Sequence, residues 1–164
     1  MPPQPPRFGR VDHVGLTVPD LGAAIAFYRD AFGATELFRL GPFDASEMPP
    51  MPDGRDWTEA HIDVPGARLS IAMLELGPDT KLELFQYDRP EDARRAPPRN
   101  CDVGGHHVAL AVDDLEAATA HLAEHGCRVL AGPIAMEDGP IPGLRTHYVV
   151  DPFGNQLELV QHGR

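Results

Sequence analysis

The chain has 164 residues, of which 42% are hydrophobic, enough for one domain or for two small modules sharing a core. Its 25 acidic residues outnumber 14 basic ones, for a formal net charge of −11. Nucleic acid and anionic membrane are therefore excluded as main partners, because phosphate-rich surfaces demand a basic face.

In chain order, "MPPQPPRFGR" is a short Pro-rich opening without the apolar run of a signal peptide, and no later run approaches membrane-spanning length. A soluble, cytoplasmic protein is expected. "VDHVGLTV" (11–18) alternates as a strand does, with Val14, Leu16 and Val18 on one face and His13, Gly15 and Thr17 on the other. A helix is predicted from about Leu21 to Phe32, capped by Asp20 and stopped at Gly33. Strands are predicted at 34–40, at 58–64 and 67–75 as a hairpin over "PG", and at 81–87 after "GPDT". That is one strand more than the second half of the chain supplies. The stretch 41–57, with Phe43 and Trp57 among Pro and Gly, reads as a loop folded over something apolar. Residues 88–105 are rich in Pro and charge and read as a linker. A second strand then opens at His107. Asp114 and Gly126 bracket a second helix, and strands follow at about 127–131, 144–150 and 156–161. Cys101 and Cys127 show no CxxC spacing and read as ordinary thiols of a reducing compartment.

The chain is written twice. "HVGLTVPDLGAAIA" (13–26) falls on "HVALAVDDLEAATA" (107–120) with nine of fourteen positions identical, where chance gives about one. "LELFQ" (82–86) pairs likewise with "LELVQ" (157–161). His13 to Glu83 spans 70 residues and His107 to Glu158 spans 51, so the first copy carries an insertion of nineteen, placed at 41–57. The modules are 8–87 and 106–162.

Strand parity sets His13 on a face with Gly15 and Thr17, and His107 on a face with Ala109 and Ala111. Glu83 and Glu158 point away from their Leu neighbours. Each copy thus delivers one imidazole and one carboxylate to the face opposite its helix. Pairing the copies would bring together His13, Glu83, His107 and Glu158. Two carboxylates sharing a cavity repel, and a divalent cation removes that cost. This N₂O₂ set suits Zn, Ni, Co, Mn or Fe(II), with room for substrate oxygens. His106 falls on the helix-packed face and does not align with His13. A lone Glu in a strand or a lone His is ordinarily structural, and the coincidence of four at duplicated positions is what points to a metal.

At these residues the sequence resembles the vicinal oxygen chelate superfamily, which includes glyoxalase I, methylmalonyl-CoA epimerase, bleomycin-resistance proteins and extradiol dioxygenases. The motifs are "DHVGLTVPDLGAAIAFYRDAFG", "TKLELFQY", "GGHHVALAVDDL" and "DPFGNQLELV", and the resemblance covers residues 8–162. It implies an α+β fold of two tandem βαβββ modules forming a cup-shaped mixed sheet around one metal, held by His13, Glu83, His107 and Glu158, in an expected homodimer acting on a small-molecule substrate. The stretches "LELGPDTKLELFQYD" and "GGHHVALAVDDLEAA" are similar to methylmalonyl-CoA epimerases. This implies a lyase or isomerase that moves a proton next to a carbonyl through a metal-bound enediolate, with Glu83 or Glu158 as base. The insertion at 41–57 departs from that pattern, and Arg94, Arg95 and Arg99 are either solvated linker charges or contacts for an anionic tail.

Two rivals stay open. Tyr148, Asp151, Pro152, Gly154 and Glu158 partly match the extradiol-dioxygenase signature, which implies Fe(II) on His13, His107 and Glu158 with Tyr148 beside the substrate. The His expected upstream of that Tyr is replaced by Gly139–Pro142, and Asp-Pro-x-Gly is a good turn by itself. A drug-sequestering protein without metal is the second rival. The pocket is expected to be shaped by 41–57 and 132–143.

Overall fold

The computed structural model describes residues 9–163. The Pro-rich opening and the expected boundary at residue 8 lie outside the described residues. The elements are β1 (Val14–Thr17), α1 (Leu21–Phe32), β2 (Thr35–Asp44), α2 (Trp57–Ile62), β3 (Arg68–Glu75), β4 (Lys81–Arg89), β5 (His107–Ala111), α3 (Leu115–Glu124), β6 (Arg128–Val129), β7 (Ile134–Ala135), β8 (Arg145–Val150) and β9 (Gln156–Gln161). A 3-10 turn follows β2 at Ala45–Glu47. No described helix is long and apolar enough to cross a membrane.

Two mixed sheets repeat one plan. The first runs β1-β4-β3-β2 and the second β5-β9-β8-β6, with β7 on β8. In each, the first strand lies parallel to the last, and the other pairs are antiparallel. The helices start alike: Asp20 accepts from the Ala23 N–H and Asp114 from the Ala117 N–H, both at 2.8 Å. Gly33 then closes α1 in the left-handed region at φ 67°, which a Cβ would disfavour.

The expected strand at 58–64 is a helix. Asp56 caps α2, accepting from the backbone N–H groups of Thr58 and Glu59, each at 2.9 Å, and Asp63 ends it at φ 58°. These two backbone donors, gathered by one carboxylate at the helix start, outweigh the weak alternation of the side chains. The surplus strand thereby disappears. The expected loop at 41–57 begins as sheet, because β2 continues to Asp44, and Phe43 meets Trp57 edge to face at 6.1 Å.

The apolar core is one cluster drawn from both modules. Leu16, Leu82 and Leu84 from the first sheet, Leu157, Leu159 and Val149 from the second, and Ala24, Tyr28 and Leu122 from the helices are all buried in it. These are the helix-side faces. The modules therefore join through their helices: the Tyr28 hydroxyl donates to Asp151 at 2.8 Å, His121 Nε2 bonds the Ala31 carbonyl at 2.9 Å, and Phe27 packs edge to face on Phe153. The opposite face of each sheet, which carries Glu83 or Glu158, points away from this shared core.

Candidate metal centre

On the outward face of the first sheet, the register sets Gly15, Glu83, Met73 and Phe38 in one row and Thr17, Phe85, Ile71 and Leu40 in the next. His13 immediately precedes β1, and its Nε2 lies 3.2 Å from Glu83 Oε2. The second sheet repeats this with Ala109, Glu158 and Tyr148 in one row. His107 opens β5, and its Nε2 lies 3.2 Å from Glu158 Oε2. Glu83 and Glu158 are partly buried on strands packed from behind by the shared core, while His13 and His107 stand exposed at the starts of β1 and β5.

The duplication thus yields two half-sites with the same atoms at the same separation. The quartet is not gathered in one copy of the chain: among the described residues, no group of three or more His, Cys, Asp or Glu side chains could hold a metal. The reason is the mode of joining. The modules meet on their helix sides, so the half-sites face outward instead of sharing one cup.

The half-sites differ in their surroundings. His13 Nδ1 is 3.0 Å from Asp12 Oδ2, and Asp12 is also bound by Lys81 Nζ at 3.0 and 3.1 Å. The His13 hydrogen bond first, and then the Lys81 ammonium, hold the Asp12 carboxyl below the usual carboxylate range. A carboxylate there takes the Nδ1 proton as a hydrogen bond and leaves Nε2 with its lone pair toward Glu83. The 3.2 Å separation of Nε2 and Glu83 Oε2 suits either an N–H···O hydrogen bond or one metal ion held by both atoms. Metal bonds of about 2.1 Å to N and O place neighbouring donors about 3.0–3.4 Å apart, so each pair fits the donor edge of one divalent ion. Asp12 and Lys81 were not among the predicted site residues; the signals were Asp adjacent to His13 and the chain's single Lys.

Tyr148 stands where the first module has Met73. Its hydroxyl is 3.4 Å from His107 Nε2, and burial and then the Glu158 charge raise its pKa. His147, its neighbour, is buried on the other face, where Nε2 bonds the Leu130 carbonyl at 2.9 Å and Nδ1 approaches the Thr119 hydroxyl at 3.3 Å. It cannot replace the upstream His that the dioxygenase signature expects.

A cavity of about 670 Å³ adjoins the first half-site. Its walls include Gly15 and Thr17, from the His13 face of β1, and Tyr87, from the Glu83 face of β4. Much of the remainder is the segment after β4, residues 90–106, which the sequence marks only as a linker. The loop 132–143, expected to shape the pocket, contributes nothing to this wall.

A model of the glyoxalase/bleomycin resistance protein/dioxygenase superfamily matches residues 10–159. The chain belongs to this superfamily. It is 45% identical over 152 residues to a 2-epi-5-epi-valiolone epimerase from an Actinomyces species, covering 92% of this chain and 78% of that one. It is 31% identical to the mouse mitochondrial methylmalonyl-CoA epimerase, covering 76% of this chain but only 58% of that enzyme's length. It is 33% identical to an ethylmalonyl-CoA/methylmalonyl-CoA epimerase from Cereibacter sphaeroides, covering 74% of this chain and 75% of the other. Its fold matches a glyoxalase family protein from Bacillus cereus, with a TM-score of 0.72 at 18% identity and 97% of each chain covered. Glyoxalase I from Zea mays matches at a TM-score of 0.58, over 94% of this chain and 45% of that one. The α+β fold expected from the sequence is therefore that of the superfamily, and its curated relatives with assigned activities are epimerases.

Proposed function

We propose that the protein is a divalent-metal-dependent epimerase that inverts a carbon next to a carbonyl, with His13, Glu83, His107 and Glu158 as metal ligands. The observation that carries this reading is the repeated 3.2 Å contact between an imidazole Nε2 and a Glu Oε2, one in each half of a chain whose relatives are epimerases. The quartet closes when the first half-site of one copy meets the second half-site of another, in a homodimer. The apolar side chains that stand exposed on β2, Leu37, Phe38 and Leu40, support such a contact.

When bound, a divalent cation would draw electron density from a substrate carbonyl and acidify the neighbouring C–H. The protein residues supply the rest. Inversion requires a proton to leave one face of the carbon and arrive on the other. Glu83 and Glu158, related by the duplication, provide one carboxylate for each side. Asp12 fixes the tautomer of His13, and Tyr148 places a hydroxyl donor beside Glu158. The apolar rows of the first sheet exclude water.

The test is metal content together with isotope exchange. Purified protein should retain a divalent ion through dialysis, and His107→Ala and Glu158→Ala should each lose it without change in circular dichroism. With 2-epi-5-epi-valiolone or methylmalonyl-CoA in deuterated water, deuterium should enter next to the carbonyl. Protein that takes up no metal on soaking and exchanges no deuterium rules the reading out.

A further inference from the structure

The residues lining the 670 Å³ cavity include Arg94, Arg95 and His106 and not one Asp or Glu. This is unusual in a chain with 25 acidic and 14 basic residues. The arginines elsewhere show how unusual. Among the described residues, every arginine except Arg94, Arg95 and Arg128 reaches a carboxylate within 4.0 Å. Two of the three without such a partner stand at one cavity. Arg95 donates through Nη1 to the Tyr87 carbonyl at 2.9 Å. That bond anchors the guanidinium beside the β4 strand that carries Glu83, and among the described residues its other N–H donors have no acceptor. Asp102, whose carboxyl the Arg94 charge helps to lower, is already held by Arg99 at 2.8 Å. The wall of Gly15, Thr17 and Tyr87 makes the cavity continuous with the face that carries His13 and Glu83.

We infer that this cavity binds a phosphoryl group carried by the substrate, with Arg94 and Arg95 as its ligands. Two guanidinium forks with spare donors, in a wall free of carboxylates, match the planar recognition that phosphate oxygens favour. The proline-rich segment 90–98 holds its backbone stiffly around the site. The inference builds on the His13–Glu83 face being part of the substrate site proposed above, but phosphate binding is read without turnover, so either can fail alone.

The experiment is calorimetric titration of the full chain with inorganic phosphate. Binding should be lost or weakened by roughly tenfold or more in R94Q/R95Q, and by less in R94K/R95K, which keeps the charge but not the fork. Arg128→Gln, which removes the third arginine without a carboxylate partner, should leave it unchanged. Inositol monophosphate and coenzyme A, set against inositol and pantetheine, identify the carrier. Tighter binding of the first phosphate marks a polyol phosphate, and tighter binding of the second an acyl-CoA. The inference is overturned if phosphate fails to bind, binds R94Q/R95Q as well as wild type, or is weakened equally by Arg128→Gln.

Discussion

Tyr28→Phe removes one oxygen and tests how the two halves are joined. Tyr28 is 1% exposed, and its hydroxyl donates to Asp151 Oδ2 at 2.8 Å across a sequence separation of 123 residues. Burial first, and then Asp151, push its pKa well above the ordinary phenol value, so it stays a donor at every working pH. Asp151 keeps three other donors: the backbone N–H groups of Phe153 and Asn155 and the Asn155 side-chain amide, at 2.8–2.9 Å. The substitution therefore strands no charge, and the ring keeps its contacts with Phe27 and Phe32. Loss of a hydrogen bond to a carboxylate in a buried setting costs about 2 kcal/mol. For a chain of this size that lowers Tm by about 4–8 °C. Differential scanning calorimetry of the two proteins at equal concentration measures it. A shift below about 1 °C would refute the helix-side junction as a stabilising contact.

Other consequences are as direct. Asp12→Ala should weaken metal affinity about tenfold, the lower end of the range for a residue that orients a ligand, since Asp12 is exposed to screening; competition with a chromophoric chelator reads it, and unchanged affinity would remove Asp12 from the site. Burial pushes the Cys127 thiol up to about 11, so at pH 8 only about one in a thousand is thiolate. Native protein should titrate one fast thiol with Ellman's reagent, the exposed Cys101, and two only after unfolding. Asp56 sits at about 2, held first by the Thr58 hydroxyl and then by the backbone N–H groups of Glu59 and Gly66. Its folded value lies below the unfolded one, so its stabilisation of α2 is complete above about pH 4 and is lost as pH falls toward 2. Fluorescence of Trp57, the chain's one tryptophan, should change over that interval, and Asp56→Ala should show the acid form of the signal at neutral pH.

What could be read from the letters was whatever local chemistry dictates. Asp20 and Gly33 mark both ends of α1 because a cap and a left-handed stop act within four residues. The repeat of "HVxLxV" and "LEL" located both imidazole–carboxylate pairs, since strand parity alone decides which side chains share a face. Trp57–Ile62 was misread because its alternation is weak and its determinant is one carboxylate, Asp56, gathering three backbone N–H groups. The joining of the modules was not legible at all. Leu16 and Leu157 announce that their faces are buried, but not against which partner, and pairing through the cup or through the helices satisfies the same pattern. Nor does a Pro-rich linker reveal that it walls a cavity; that depends on where β4 ends and β5 begins.

In the proposed enzyme one metal site is built from halves of two copies. Prepare H13A/E83A and H107A/E158A, show that neither retains a divalent ion, then mix them under subunit exchange and count metal after dialysis. A site shared between copies predicts that each mixed dimer regains one intact quartet, about a quarter of the wild-type metal content at random pairing, with deuterium exchange returning in step. Mixed dimers confirmed by native mass spectrometry that still hold no metal would contradict it.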